Sequence, residues 1–192
     1  MEEGILDTCE AAIATLEGQG HQVDRLAPPY PAEKIWQSWI TLRSFAVAAG
    51  LRELKDRRDQ LKEAALWELD RGLGFSGQEV QEASDLRAGW MRAAARMFDS
   101  YDAVLLPSAQ CWPFPVDWDY PKEIAGQAMD TYHRWMEVVV PASLLGLPAL
   151  AVPAGRGGPD QLPIGLQIIG PHGSDAQILG LGQGYHRARS AT

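Results

Sequence analysis

Two apolar runs, Ala149 to Val152 and Ile164 to Ile169, stand either side of Pro153-Ala154-Gly155-Arg156-Gly157-Gly158-Pro159-Asp160. No other pattern constrains the chain as much. The intervening residues carry a loop signal, because Pro and Gly interrupt regular backbone hydrogen bonding. The flanking runs are therefore predicted to be neighbouring strands of one sheet. A third run, Tyr101-Asp102-Ala103-Val104-Leu105-Leu106, ends at Pro107 and is predicted to be a buried strand. His21 to Leu26 alternates weakly, which predicts a further short strand.

Residues 1–100 otherwise read as helical. Ile5, Cys9, Ala12, Ile13 and Leu16 share one helical face, and Gly18 and Gly20 stop that helix. A second helix begins at Pro31, with Ile35, Trp39, Leu42 and Phe45 as its buried stripe. A charged helix is expected from Leu51 to Arg71. Ser76-Gly77-Gln78-Glu79 is a capping box: the serine oxygen takes one orphan amide and the glutamate reciprocates. Beyond residue 100, a helix is expected from Lys122 to Val140, with a short helical turn from Pro141 through Leu145. Ser174-Asp175-Ala176-Gln177 reads as a second capping box, opening a last helix with Ile178, Leu181 and Tyr185 on one face. Gly180, Gly182 and Gly184 weaken that helix, and close packing against a neighbour would account for them. The whole is read as a single α/β domain, 1–100 mainly helical and 101–192 containing the strands.

Bulk properties exclude several functions. A formal net charge of -8 disfavours nucleic acid and anionic membrane surfaces. No apolar run approaches membrane-spanning length, since Val138-Val139-Val140 is cut by Pro141. The chain has no Asn, so it has no N-glycosylation sequon. Cys9 and Cys111 make neither a disulfide framework nor a zinc set, and are expected as reduced thiols in a cytoplasmic protein. The start Met1-Glu2-Glu3 lacks the basic-then-apolar shape of a signal peptide.

Motifs with chemical meaning are few. Gly72-Leu73-Gly74-Phe75-Ser76-Gly77 matches the dinucleotide fingerprint as a string. A charged helix precedes it, not the strand that the fingerprint requires, so it is expected as a helix–helix loop. His21, His133, His172 and His186 make no metal pair, and no serine sits in a Gly-x-Ser-x-Gly elbow. Asp117 and Asp119 alternate with Trp118 and Tyr120 in a loop and are expected in solvent. Cys111 as a nucleophile, with His133 as base, stays open as a self-sufficient hydrolase that thiol alkylation would inactivate. No cofactor or metal is expected.

The segment from Tyr101 to Arg187 is more informative as an ordered set. A strand ends in Leu106-Pro107-Ser108; a helix runs into Val140-Pro141-Ala142-Ser143-Leu144-Leu145-Gly146-Leu147-Pro148-Ala149; the strand pair closes with Pro163-Ile164-Gly165-Leu166-Gln167-Ile168-Ile169-Gly170-Pro171. This order resembles the C-terminal region of amidase-signature enzymes. The resemblance implies an α/β fold, with helices packed around part of a mixed sheet, and a parent activity that hydrolyses a carboxamide to acid and ammonia or amine. It also implies a structural motif of Pro141, Ser143, Gly146, Pro148, Gly165, Gln167 and Gly170. Ser143 stands where the family often has Asn, and Ser108 where it often has Thr.

That family uses a serine nucleophile, a second serine in a cis peptide and a lysine base, carried by a Gly-Ser-rich region upstream of the part matched here. The chain has no Gly-Gly-Ser-Ser run, and its lysines are only Lys34, Lys55, Lys62 and Lys122. No catalytic residue is therefore assigned, and the chain alone is expected to be inactive. It is expected to supply a pocket wall, with Ser108, Gln110, Cys111, Trp112, Tyr132 and Trp135 as candidates, since loops after strand ends rim pockets in α/β folds. The amide substrate would bind only with the missing N-terminal part. An alternative is a non-catalytic subunit that complements an N-terminal catalytic chain, or that binds through the Trp-rich loop Trp112 to Trp118. Self-association through exposed sheet edges is expected in either case.

Overall fold

Strand periodicity organises the sheet. In the computed structural model, which describes residues 1–190 except Pro159, Ile164, Leu166 and Ile168 alternate along one strand and are all buried. Three strands pair in the order β1-β5-β4, with β1 at Val104–Pro107, β4 at Ala149–Gly157 and β5 at Leu162–Ile169. Every pairing among them is antiparallel: Leu106 faces Gln167, Leu150 faces Ile168 and Val152 faces Leu166. The two predicted neighbours, β4 and β5, do lie side by side.

The chain divides into two compact units, residues 1–27 with the chain from 95 onward, and Pro28–Ala94. In the first unit, helices α1 (Ile5–Gly18) and α6 (Asp175–Ser190) cover one sheet face. Ile5, Cys9, Ala12 and Leu16 of α1 and Ile178 and Tyr185 of α6 pack on Val152, Ala154, Leu166 and Ile168. Each buried Ile, Leu or Val among them contributes about 1.5–3 kcal/mol by leaving water. Gly182 admits the edge of β4: a Cβ there would stand 2.1 Å from Leu150 Cδ2. The Tyr185 hydroxyl donates to the Pro153 carbonyl at 2.8 Å, satisfying a buried phenol. On the other face, Gln167 is buried and its Nε2 donates to Pro107 O at 2.8 Å and to Val138 O at 3.4 Å. That amide ties β5 to the end of β1 and to the turn before α5 (Val140–Leu145).

The second unit is helical. It contains α2 (Ala32–Leu51), α3 (Glu63–Gly74) and most of α4 (Gly77–Phe98). The Ser76 box forms: Ser76 N and Oγ both donate to Glu79 at 2.8 Å, and Glu79 N donates back to Ser76 Oγ at 3.2 Å. Gly72 to Gly77 is the end of α3 and the start of α4, so the fingerprint string is a helix–helix junction.

Several expectations need correction. His21 to Leu26 forms no strand; it is mostly exposed, and Arg25 folds back onto Glu10 and Glu17 of α1. Without a ladder partner among the described residues, weak alternation cannot make a strand. The charged segment 51–71 is not one helix: short 3₁₀ turns at Arg52–Leu54 and Arg58–Gln60 precede α3. The buried stripe of α2 is rotated towards Trp36, Ser38, Ile40, Ser44 and Ala48, while Phe45 is 45% exposed. Ser44 and Ala48 face inward where Gly72 of α3 approaches closely. Lys122 to Val140 is not a helix either. Glu123–Ile124 (β2) and Gln127–Ala128 (β3) form a hairpin, and a 3₁₀ segment follows at Arg134–Val139. Ala125 and Gly126 both have positive φ, which a two-residue hairpin turn demands and a helix forbids. The loop predicted at 153–160 is largely strand. A register shift between Pro153 and Gly155 absorbs the proline, and Gln161 N donates to Gly158 O at 3.4 Å; Pro159 lies outside the described residues. The second capping box does not form: Ser174 Oγ donates to Pro171 O, and Gln177 reaches Asp102.

A candidate substrate groove

Beyond β1 the backbone stays bound to the sheet for one more residue, Ser108 N donating to Gly165 O at 2.8 Å. It then leaves as the Ser108–Phe114 segment, stiffened by Pro113. That segment, with Trp135 and the exposed side of β4 and β5, encloses a groove of about 470 Å³. Its sheet side is built from Ala151, Pro153 and Gly165, residues that alternate with the buried Val152 and Leu166. Of the six candidates, Ser108, Cys111, Trp112 and Trp135 line the groove. Gln110 and Tyr132 lie outside its lining. Gln110 instead braces the wall: its Nε2 donates to Arg134 O at 3.0 Å and its Oε1 accepts from Val138 N at 3.2 Å. Tyr132 is 39% exposed and packs edge-on to Tyr120 and His133.

Trp112 is the anchored wall. Its backbone N–H donates to the Glu2 carboxylate at 2.7 Å and its indole N–H to Glu3 O at 3.1 Å. Its ring lies against the backbone at Gly157 and Gly158, where a Cβ would come within 2.7 Å and 3.0 Å of it. Phe114 meets Trp135 edge-on at 5.4 Å between centroids, and Trp118 stacks on Phe114 at 6.4 Å. The sequence reading missed Phe114 and the sheet-side residues. Period-two alternation through Ala151-Val152-Pro153 is the signal that could have found the latter.

The motif residues do structural work. Pro141 sits in the first turn of α5, and Ser143 Oγ donates back to Val139 O at 2.9 Å. Gly146 closes α5 in the left-handed conformation at φ 65°, and Gly170 N donates to Pro148 O at 3.0 Å. Gly165 leaves room for Ser108, whose Oγ would be 2.5 Å from a Cβ there.

The groove holds no activated nucleophile. Cys9 and Cys111 are buried free thiols, each pushed up to about 11 by burial, with Glu10 raising the first further and Glu2 the second. Burial therefore favours the neutral thiol, the opposite of the lowered pKa that a Cys111 nucleophile would call for. Lys34, Lys55, Lys62 and Lys122 are all exposed, and Lys122 Nζ lies over the Tyr120 ring at 3.3 Å. No buried Ser–Lys couple exists among the described residues. Nor, among them, could any group of three His, Cys, Asp or Glu hold a metal ion.

The amidase family pattern matches residues 1–179, and the chain belongs to that family. It is 26% identical to an acylamidase of Rhodococcus erythropolis over 91% of this chain and 37% of that protein. It is 30% identical to a glutamyl-tRNA(Gln) amidotransferase subunit of Archaeoglobus fulgidus, over 80% of this chain and 30% of that one. The fold matches a bacterial aryl acylamidase of the amidase-signature enzymes with a TM-score of 0.85 and 23% identity, covering 98% of this chain and 41% of the other. The α/β class and the family resemblance read from the sequence thus both hold. The chain spans less than half the length of each of these relatives. No helix among the described residues is long and apolar enough to cross a membrane.

Proposed function

We propose that this chain forms the C-terminal part of an amidase that hydrolyses a carboxamide C–N bond to acid and ammonia or amine, and that it is inactive alone. Amides need an activated hydroxyl, a base in hydrogen-bond reach and donors aimed at the oxyanion. The observation that carries the proposal is that all four lysines are exposed and that burial raises the one thiol lining the groove. The reacting groups therefore come from residues outside these 192, and the groove presents one wall to the substrate. Ser108, Cys111, Trp112 and Trp135 touch the substrate side, and Gln110 holds the wall in place. The partner is a small amide, not nucleic acid or membrane, and the location is the cytoplasm, in keeping with acidic charge and two free thiols.

A complementing subunit that pairs with a separate catalytic chain is the second arrangement. It is favoured by the outer edge of β4, on which no further strand is paired among the described residues. The same edge would drive self-association of the isolated chain. The test is amide hydrolysis by the purified chain, where no turnover above buffer is expected. Turnover abolished by Ser108→Ala, but not by Ser143→Ala, would refute the proposal.

A further inference from the structure

We infer that Glu2 is a positioning residue for the groove: it lies outside the lining, yet its carboxylate fixes the Trp112 wall and, through Gln110, the turn that carries Trp135. The inference rests on reading that groove as the substrate wall of an amidase. Residues 2–4 form a strap along the Ser108–Phe114 segment. Glu2 N donates to Gln110 O at 2.9 Å, the Glu2 carboxylate accepts from Trp112 N at 2.7 Å, and Glu3 O accepts from the Trp112 indole at 3.1 Å. Main chain and side chain of Glu2 thereby grip the two peptide units that flank Cys111. Trp112 is buried, so its amide has to be satisfied within the chain, and a carboxylate is a stronger acceptor than a neutral oxygen. The strap is itself held. Gly4 turns into α1 at φ 81°, and its carbonyl accepts from Thr8 N at 3.0 Å and from Thr8 Oγ1 at 2.8 Å. The Trp112 ring, resting on Gly157 and Gly158, is therefore fixed both from the start of α1 and from the end of β4. Gln110 passes the constraint on. Its main-chain carbonyl is bound to Glu2, while its side chain holds Arg134 O and Val138 N, which flank Trp135 in the 3₁₀ segment.

Iodoacetamide labelling resolved by peptide mass mapping tests this, because the chain carries two internal reporters. Cys111 lies between the gripped peptide units, whereas Cys9 is buried in the core that α1 forms with the sheet. Cys9 reports on global unfolding and Cys111 on local opening. In Glu2→Ala, Cys111 should be alkylated about tenfold faster than in the parent, the factor expected for loss of a hydrogen bond to a charged acceptor, with Cys9 unchanged. Hydrogen exchange at the Val138 amide, which Gln110 covers, should quicken in step. Burial and then the Glu2 charge hold the Cys111 thiol up, so two more variants separate contact from charge. Glu2→Gln loses the charge but keeps an acceptor oxygen, and should stay within roughly threefold of the parent. Glu3→Ala loses a neighbouring charge but keeps the carbonyl that holds the indole, and should match the parent. Equal acceleration of both thiols in Glu2→Ala would make Glu2 a general stabiliser and overturn the inference. So would an unchanged Cys111 or Val138, or a Glu2→Gln chain as reactive as Glu2→Ala. The readout involves neither ligand nor turnover. Failure of the strap leaves the amidase reading standing, and turnover by the isolated chain would sink that reading without altering the labelling pattern.

Discussion

Gly72→Ala should destabilise the helical unit, although alanine is the better helix former. Replacing a helical glycine by alanine normally gains up to about 1 kcal/mol, and Gly72 lies in the last turn of α3. Here a Cβ would stand 2.2 Å from the Ser44 carbonyl oxygen, 2.5 Å from Ala48 Cβ and 2.8 Å from the Ser44 carbonyl carbon. Ordinary contact needs about 3.5 Å, so α2 and α3 must part by roughly 1 Å. Two of the opposing atoms are backbone and cannot swing aside. Overpacking of this kind costs about 1–3 kcal/mol, and the upper part of that range outweighs the propensity gain. A net loss of about 1–2 kcal/mol would lower Tm by about 3–6 °C in a chain of this size. Gly74→Ala is the matched control: the same substitution in the same helix meets nothing within 4 Å and should be neutral or slightly stabilising. Thermal and urea unfolding followed by circular dichroism measure both. If Gly72→Ala matched or exceeded the stability of Gly74→Ala, the close α2–α3 approach would be wrong.

Two further outcomes follow from local electrostatics and burial. Ser76 N–H and hydroxyl hold the Glu79 carboxyl below its ordinary 4.5, so its stabilising effect is present above that value and fades as pH falls through the lowered one. Glu79→Gln should thus be less stable than the parent at neutral pH, with the gap closing in strong acid; urea midpoints at the two pH values check this, and a gap that widens in acid would contradict it. With both thiols raised to about 11, only about one in a thousand is ionised at pH 8. Iodoacetamide should therefore modify Cys9 and Cys111 only at the rate of unfolding, and rapid single-site alkylation of the folded chain, read by mass spectrometry, would show a reactive thiol.

Local signals were legible where one segment decides its own structure. The box Ser76–Glu79, the strand pair 149–169 and the faces of α1 and α6 all rest on short-range periodicity and capping, and all formed. Signals failed where the outcome depends on contacts distant in sequence. His21 to Leu26 alternates like a strand, yet Arg25 finds Glu10 and Glu17 on α1 and no ladder partner adjoins it. Helix-like apolar spacing at 122–140 yields to the Ala125-Gly126 turn, whose positive φ values the hydrophobic pattern does not encode. Ser44 and Ala48 on the inward face of α2 meet Gly72 of α3, a contact not visible in α2 itself. At the groove, the Trp- and Pro-rich loop announced Trp112, but the sheet-side residues emerged only once the register of β4 against β5 was known. Gln110 illustrates the limit: a polar residue beside the groove proved to brace it, because two backbone groups at Arg134 and Val138 claim its amide.

Fluorophosphonate labelling, which covalently traps only an activated serine hydroxyl, probes the central claim most directly. Peptide mapping after exposure of the folded chain should find every serine unmodified, since none sits beside a buried lysine. A stoichiometric adduct on Ser108 or Ser143 would place the hydrolytic chemistry inside this chain and contradict the account.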